Sequence, residues 1–197
     1  MTPRIAWKNL SSILPWSVLA LLAIINALLI KQNLQMRAQL EKLRPQVLRV
    51  GDRVQPFSAQ GLRGDIIVVN YTGKEVNRIL LYFSPSCPYC LEQFAHWKEI
   101  LDRINRNNFQ VIGLVSESED RAKVDEYLRS VGCESMRVAF IPDGVLNSYN
   151  LSMTPMTIVI ANDGRVEKVW TGKWDSEALV AASSIFGFSF SQSQSAP

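Results

Sequence analysis

One histidine, His96, and three cysteines occur in 197 residues, and each scarcity removes a class of chemistry. A structural zinc site takes four Cys or His ligands, and beside a Cys87–Cys90 pair only Cys133 and His96 remain to supply two more. Three cysteines are too few for the several cross-links that hold a small secreted scaffold together. Neither sign of charge dominates: 21 Lys and Arg against 18 Asp and Glu leave a net of +3. No basic stripe interleaved with aromatics points to nucleic acid, so no nucleic-acid partner is expected. No histidine stands in a later loop, where copper delivery would want one.

Part of the 47% hydrophobic content is gathered near the N-terminus. Between Lys8 and Lys31 no charged residue interrupts the chain. At about 1.5 Å per helical residue that run can cross a hydrocarbon core of roughly 30 Å. A cleaved signal would end in small residues, but Ala27-Leu28-Leu29-Ile30 offers no good cut site. The reading is an uncleaved signal anchor, with Trp16 suited to the interface. Arg4 and Lys8 precede the span, and Lys31, Arg37, Lys42, Arg44, Arg49 and Arg53 follow it, a count that favours the opposite topology. Long domains translocate largely regardless of charge, so the expectation is a single-pass membrane protein whose C-terminal domain lies outside the cytoplasm, on the periplasmic side in a bacterium. The basic residues flanking the span would meet anionic lipid. The expected organisation is a cytoplasmic stub at 1–8, the anchor at 9–30, an amphipathic stalk at 31–50 interrupted at Pro45, a globular domain at 51–190 and a disordered tail at 191–197.

Two of the cysteines are set as Cys87-Pro88-Tyr89-Cys90. Upstream, Arg78-Ile79-Leu80-Leu81-Tyr82-Phe83 reads as a buried strand bounded by Ser84-Pro85-Ser86. Downstream, Phe94, Trp97, Leu101 and Ile104 recur at helical spacing with Ile100 beside them. Cys87 therefore stands at a helix N-terminus, where unpaired N–H groups and the helix dipole favour thiolate over thiol. That makes Cys87 the expected nucleophile. Cys90, one turn further in, keeps its proton longer and resolves the mixed disulfide.

The domain opens at Gly51-Asp52-Arg53-Val54-Gln55-Pro56-Phe57, followed by a buried strand over Asp65–Tyr71 and a turn at Thr72-Gly73-Lys74. Beyond the cysteine helix the pattern predicts a strand at Phe109–Val115, a helix at Glu119–Val131, a strand at Met136–Ile141, a helical turn at Val145–Tyr149 and a strand at Met156–Ala161. Ser116 with Glu119 resembles a capping box for the middle helix, and Gly132 stops it. Asn162-Asp163-Gly164 predicts a hairpin into Val166–Thr171, and a last helix spans Ser176–Ile185. The fold class is α/β: a mixed central sheet flanked by helices, preceded by one transmembrane helix.

This order, with a C-x-x-C at a helix start and Thr-Pro before the hairpin, resembles the thioredoxin-like fold over roughly Val50–Phe186. Together with the anchor and the Gly51-Asp52…Pro56-Phe57 opening, the chain is similar to membrane-anchored thioredoxin-like proteins of the TlpA/ResA type, in the redoxin group. The resemblance implies a cis proline facing the cysteines, and Pro155 in Met153-Thr154-Pro155 holds that position. Thr154 and Pro155 would then bind an extended substrate by strand-like hydrogen bonds. Pro88 and Tyr89, between the cysteines, resemble the dithiol glutaredoxin pair and form the loop around the site. Two departures stand out: Leu81 replaces the buried Asp of thioredoxins, and Gln93 stands where many anchored relatives carry Glu. Glu92, about 100° further round the helix, points elsewhere.

The implied function is thiol–disulfide exchange on protein thiols and disulfides outside the cytoplasm. It needs no cofactor beyond a redox-active Cys87–Cys90 disulfide and no metal, and it requires a membrane or soluble redox partner to recharge the pair. Apocytochrome cysteines, or disulfides of a periplasmic enzyme under maturation, are substrates the resemblance allows. Two alternatives stay open. One is a tethered binding module with a structural disulfide. The other is a peroxiredoxin-like peroxidase, for which Ser84 fits the Pro-x-x-x-Thr/Ser-x-x-Cys pattern but Leu80 stands at its proline. His96 is expected as a surface or core residue and Cys133 as a structural thiol or a regulatory disulfide partner. Trp97, Trp170 and Trp174 are expected as core or rim packing.

Overall fold

The computed structural model of the chain describes residues 10–43, 48–71 and 76–191. The chain divides into two compact units, Met1–Pro45 and Gln46–Pro197. In the first, a single helix α1 (Leu10–Leu43) continues without a break past Lys31, where the anchor was expected to give way to a stalk. Its segment Trp16–Arg37 is long and apolar enough to cross a membrane, with a mean hydropathy of 1.7. Leu19, Leu21, Leu22 and Ile24 are all exposed and point in four directions about the axis, so the apolar surface runs round the helix rather than along one stripe. The stub at 1–8, Pro45, the Thr72-Gly73-Lys74 turn and residues 192–197 of the tail lie outside the described residues.

In the second unit, strands β1 (Phe57–Gly61), β2 (Ile66–Val69), β3 (Asn77–Tyr82), β4 (Phe109–Ser116), β5 (Val138–Ile141), β6 (Met156–Ile160) and β7 (Val166–Thr171) form one sheet among the described residues, in the order β2-β1-β5-β4-β3-β6-β7. Helices α2 (Pro88–Arg103) and α3 (Arg121–Ser130) carry the chain from β3 to β4 and from β4 to β5, both parallel pairings. Right-handed crossovers in the same direction put both helices on one face. There Phe94, Trp97 and Ile100 of α2 pack with Val124 and Leu128 of α3 on Ile79, Leu81 and Phe83. Each such side chain contributes roughly 1.5–3 kcal/mol by leaving water. Helix α5 (Ser176–Phe186) adds Ala182 and Phe186 to the same layer and ends at Gly187, whose φ of 77° suits a residue without Cβ. The other face carries Leu80, Ile112, Leu114 and Ile158, with Leu48, Tyr149 and the side chains Val145 and Leu146 of the short α4 (Asp143–Ser148). Trp97, Trp170 and Trp174 are all buried.

Three local expectations change. Strand β1 was not anticipated: Phe-Ser-Ala-Gln-Gly shows little apolar alternation, and pairing with β2 and β5 makes it a strand. Strand β2 was expected to be buried throughout, but at the sheet edge only Ile67 and Val69 face the core, while Ile66 and Val68 are exposed. Helix α3 starts two residues later than expected and without the Ser116–Glu119 capping box: Asp120 is the N-cap, its carboxylate accepting from the Ala122 and Lys123 amides, and Glu119 is freed for another contact.

Candidate active site

The β3–β6 register places Tyr82 opposite Met156 in an antiparallel pair. The residues just after β3 therefore lie beside those just before β6, which brings the cysteine turn against Thr154-Pro155. The Thr154–Pro155 peptide is cis, as the resemblance implied. Cys87 is the N-cap of α2 with Pro88 in the first turn, where a missing N–H leaves no helical bond unmade. Its amide donates to the Ser84 carbonyl at 3.1 Å, and its thiol donates to the Thr154 carbonyl at 3.5 Å. All three cysteines are unlinked, so this is the dithiol form.

The two thiols three residues apart meet different surroundings. Cys87 is half-buried and Cys90 fully buried. Partial burial works to raise the Cys87 pKa, but hydrogen bonds from the Thr154 side chain, Cys90 and the Cys90 and Tyr89 amides outweigh it and hold the thiol below its ordinary value. For Cys90 burial dominates; the neighbouring Cys87 adds to it against weaker hydrogen bonds from Ser84 and Thr154, and the thiol is pushed up to about 12. The outer sulfur is thus poised to ionise and the inner one to stay protonated. Tyr89, between the two cysteines, and Met153, next to Thr154 in the chain, are both exposed.

No carboxylate comes from the expected positions. Leu81 is buried in the apolar layer. Gln93 is fully buried with its amide oxygen accepting from the Trp174 backbone N–H at 2.9 Å, so it braces α2 against the β7–α5 turn. Glu92 is at the surface, paired with Lys173. A carboxylate arrives from elsewhere: Glu119, half-buried in the β4–α3 turn, accepts a 2.6 Å hydrogen bond from the Ser84 hydroxyl. Ser84 is the residue whose backbone touches both cysteines. Tyr127 of α3 stacks on Phe83, and its hydroxyl is buried without a partner. Burial first, then the nearby Cys90, Cys87 and Cys133, raise its pKa. Sequence reasoning missed Ser84, Glu119 and Tyr127 as parts of one site. The only signal was the Ser-x-x-Glu spacing at Ser116–Glu119, which pointed to a helix cap.

His96 is buried against Trp174 and Phe190, where burial lowers its pKa. Cys133 is buried at the end of α3, its thiol raised by burial and donating weakly to the Val131 carbonyl at 3.7 Å. Among the described residues no group of three or more His, Cys, Asp or Glu is arranged to hold a metal.

The family model described as Redoxin matches residues 49–182, and the chain belongs to that family. The thiol-disulfide oxidoreductase ResA of Geobacillus thermodenitrificans (strain NG80-2) is 25% identical over 131 residues, covering 66% of this chain and 74% of that protein. Among solved structures, a thioredoxin-family thiol:disulfide interchange protein of Chlorobium tepidum TLS superposes with a TM-score of 0.57 at 17% identity, covering 70% of this chain and 97% of that one. A secreted Mycobacterium tuberculosis disulfide oxidoreductase homologous to E. coli DsbE does so with a TM-score of 0.54 at 15% identity, over 66% and 95% of the two chains. The fold is thioredoxin-like, and the enzyme class is thiol–disulfide oxidoreductase.

Proposed function

We propose that this chain exchanges disulfides with protein substrates outside the cytoplasm, through Cys87 as nucleophile and Cys90 as resolving thiol. The observation that carries the reading is the placement of two thiols on one helical turn, Cys87 at the N-cap of α2 against the cis Thr154–Pro155 peptide and Cys90 fully buried, surroundings that lower the outer pKa and raise the inner one. The Cys87 thiolate attacks one sulfur of a substrate disulfide; a Cys87–substrate S–S bond forms and the substrate's other sulfur leaves, taking a proton. Cys90 then gives up its proton and attacks the Cys87 sulfur, the mixed disulfide breaks, and the second substrate sulfur leaves as a thiol. The pair ends as a disulfide, and a dithiol partner returns it to the starting state. The same steps run backwards oxidise a substrate dithiol, and the partner's reduction potential sets the direction.

Thr154 and Pro155 form the strand-like ledge for an extended substrate chain, Pro88 and Tyr89 the loop beside it, and Tyr89 with Met153 its apolar contact. Glu119 is a positioning residue: its bond to the Ser84 hydroxyl fixes the turn that supports both sulfurs. The exposed apolar helix supports a membrane anchor, holding the 51–190 domain on the far side of the bilayer.

The test is to titrate the purified chain against glutathione redox buffers and, in cells, to trap mixed disulfides with Cys90→Ala. A two-electron dithiol couple that disappears in Cys87→Ser, together with trapped extracytoplasmic proteins, is expected. A chain with no couple, or a Cys87→Ser variant with full exchange activity, would overturn the reading. A membrane-impermeant maleimide should label Cys87 in intact cells or spheroplasts; labelling only after lysis would overturn the topology.

A further inference from the structure

A cavity of about 440 Å³ opens at the end of the sheet away from the cysteines. Three arginines line it: Arg78 near the start of β3, Arg106 after α2, and Arg137 just before β5. Its apolar floor includes Ile104, Phe109 and Met136. Strand β3 rises about 3.3 Å per residue, so Arg78 lies more than about 13 Å from the cysteine turn beyond Tyr82. This is a separate place on the molecule, and nothing in the thiol chemistry uses it.

Arg78 is the unusual member. It is only 4% exposed, and its Nε is buried without a hydrogen-bond partner. Its remaining contacts are neutral: Nη1 donates to the Val76 carbonyl and Nη2 to Asn70 Oδ1 at the long distance of 3.5 Å. Burial lowers its pKa, but a guanidinium does not give up its proton in a protein. Among the described residues no carboxylate forms an ion pair with Arg78 or Arg106, and Arg137 has only Asp65 at 3.9 Å. A buried cation with no counter-charge among the described residues is costly, because buried charges are ordinarily paired. Among the described residues, three guanidinium groups against one loosely held carboxylate leave an excess of about two positive charges, matching a phosphate dianion, whose oxygens suit the guanidinium fork. The volume lies within the roughly 300–1,000 Å³ of small-molecule sites.

We infer that this cavity binds a small organic phosphate monoester, with the phosphate on Arg78, Arg106 and Arg137 and the body on the apolar floor. The inference is independent of the cysteine chemistry and stands or falls without it.

The test uses the full chain in a neutral detergent and follows its unfolding temperature. Phenyl phosphate is titrated against sodium chloride at matched ionic strength, with inorganic phosphate and dihexanoylphosphatidylglycerol as further arms. A saturable rise of several degrees is expected with phenyl phosphate, with smaller rises for inorganic phosphate and for the phosphodiester lipid headgroup. Arg78→Gln should abolish the rise while unfolding, without anion, at a temperature no lower than the parent. Arg106→Gln, an exposed change that leaves the core alone, should weaken phenyl phosphate at least tenfold. Chloride matching phenyl phosphate, a rise retained in both variants, or the lipid acting more strongly than the monoester would overturn the inference.

Discussion

Strand β3 joins two ends of the sheet that bury an ionisable group and answer the burial in opposite ways. Beyond its C-terminal end the Cys90 thiol is fully buried and keeps its proton, pushed up to about 12. At its N-terminal end Arg78 is just as enclosed and stays charged. A thiol escapes desolvation by remaining neutral, and it can still ionise when a mixed disulfide stands beside it. A guanidinium has no neutral form to retreat to, so its burial is relieved only by an anion. Similar burial therefore keeps a proton in place at one end and, among the described residues, leaves a charge without a partner at the other.

The strongest way to break that comparison is at the thiol end. Cys90→Ser should leave Cys87 able to attack but unable to be released, with multiple-turnover exchange falling about 10³-fold or more and a stable mixed disulfide accumulating on non-reducing gels. Undiminished turnover would remove the contrast between the thiols. Next in size is the arginine end: Arg78→Met keeps the volume and removes the charge, and should stabilise the chain without added anion by about 1–3 kcal/mol in denaturant unfolding. A loss of that size instead would mean Arg78 is already satisfied.

A smaller effect sharpens the thiol end. Ser84→Ala and Glu119→Ala should each slow resolution about tenfold, equivalent to about 1.4 kcal/mol, and the double variant should be no slower than either, because both break one contact. Glu117→Gln, at an exposed neighbouring position, should change nothing. Additive losses would separate Glu119 from Ser84.

The smallest is a pH dependence. The folded Cys87 thiol holds its proton less tightly than in the unfolded chain, whose thiols titrate near the ordinary 9.0, so its contribution to stability grows as pH rises toward that value. Folded Cys90 holds its proton more tightly, so stability is lost as pH rises from 9.0 toward about 12. The oxidised chain has neither thiol, and the difference in stability between reduced and oxidised protein should rise and then fall across this range. A monotonic difference would show that both thiols shift the same way.

Much of this architecture was legible because it rests on local patterns. The apolar span, the cysteine helix with its Phe94–Trp97–Ile100 stripe, and the Asn162-Asp163-Gly164 hairpin follow from neighbouring residues, whose spacing fixes the element. Strand β1 was not legible, because its partners rather than its composition make it a strand. Glu119 was misread for a related reason: Ser116 and Asp120 compete for the end of α3, and only packing against the cysteine turn shows that Asp120 caps it and Glu119 turns to Ser84.

By itself, the sequence determined that a thiol pair stands where a strand runs into a helix, and that a long apolar helix accompanies the domain. Spacing and periodicity are properties of the chain. Helix position already pointed to Cys87 as the thiolate; the tertiary structure supplied the surroundings that separate the two thiols, bringing Thr154 from 67 residues away against Cys87 and burying Cys90 beneath the helix. It also brought Glu119 to a turn 35 residues away and gathered three arginines at the far end of β3. Electrostatic environment is set by what folding brings together and what it shuts away from water, and neither is written in the order of residues along one element.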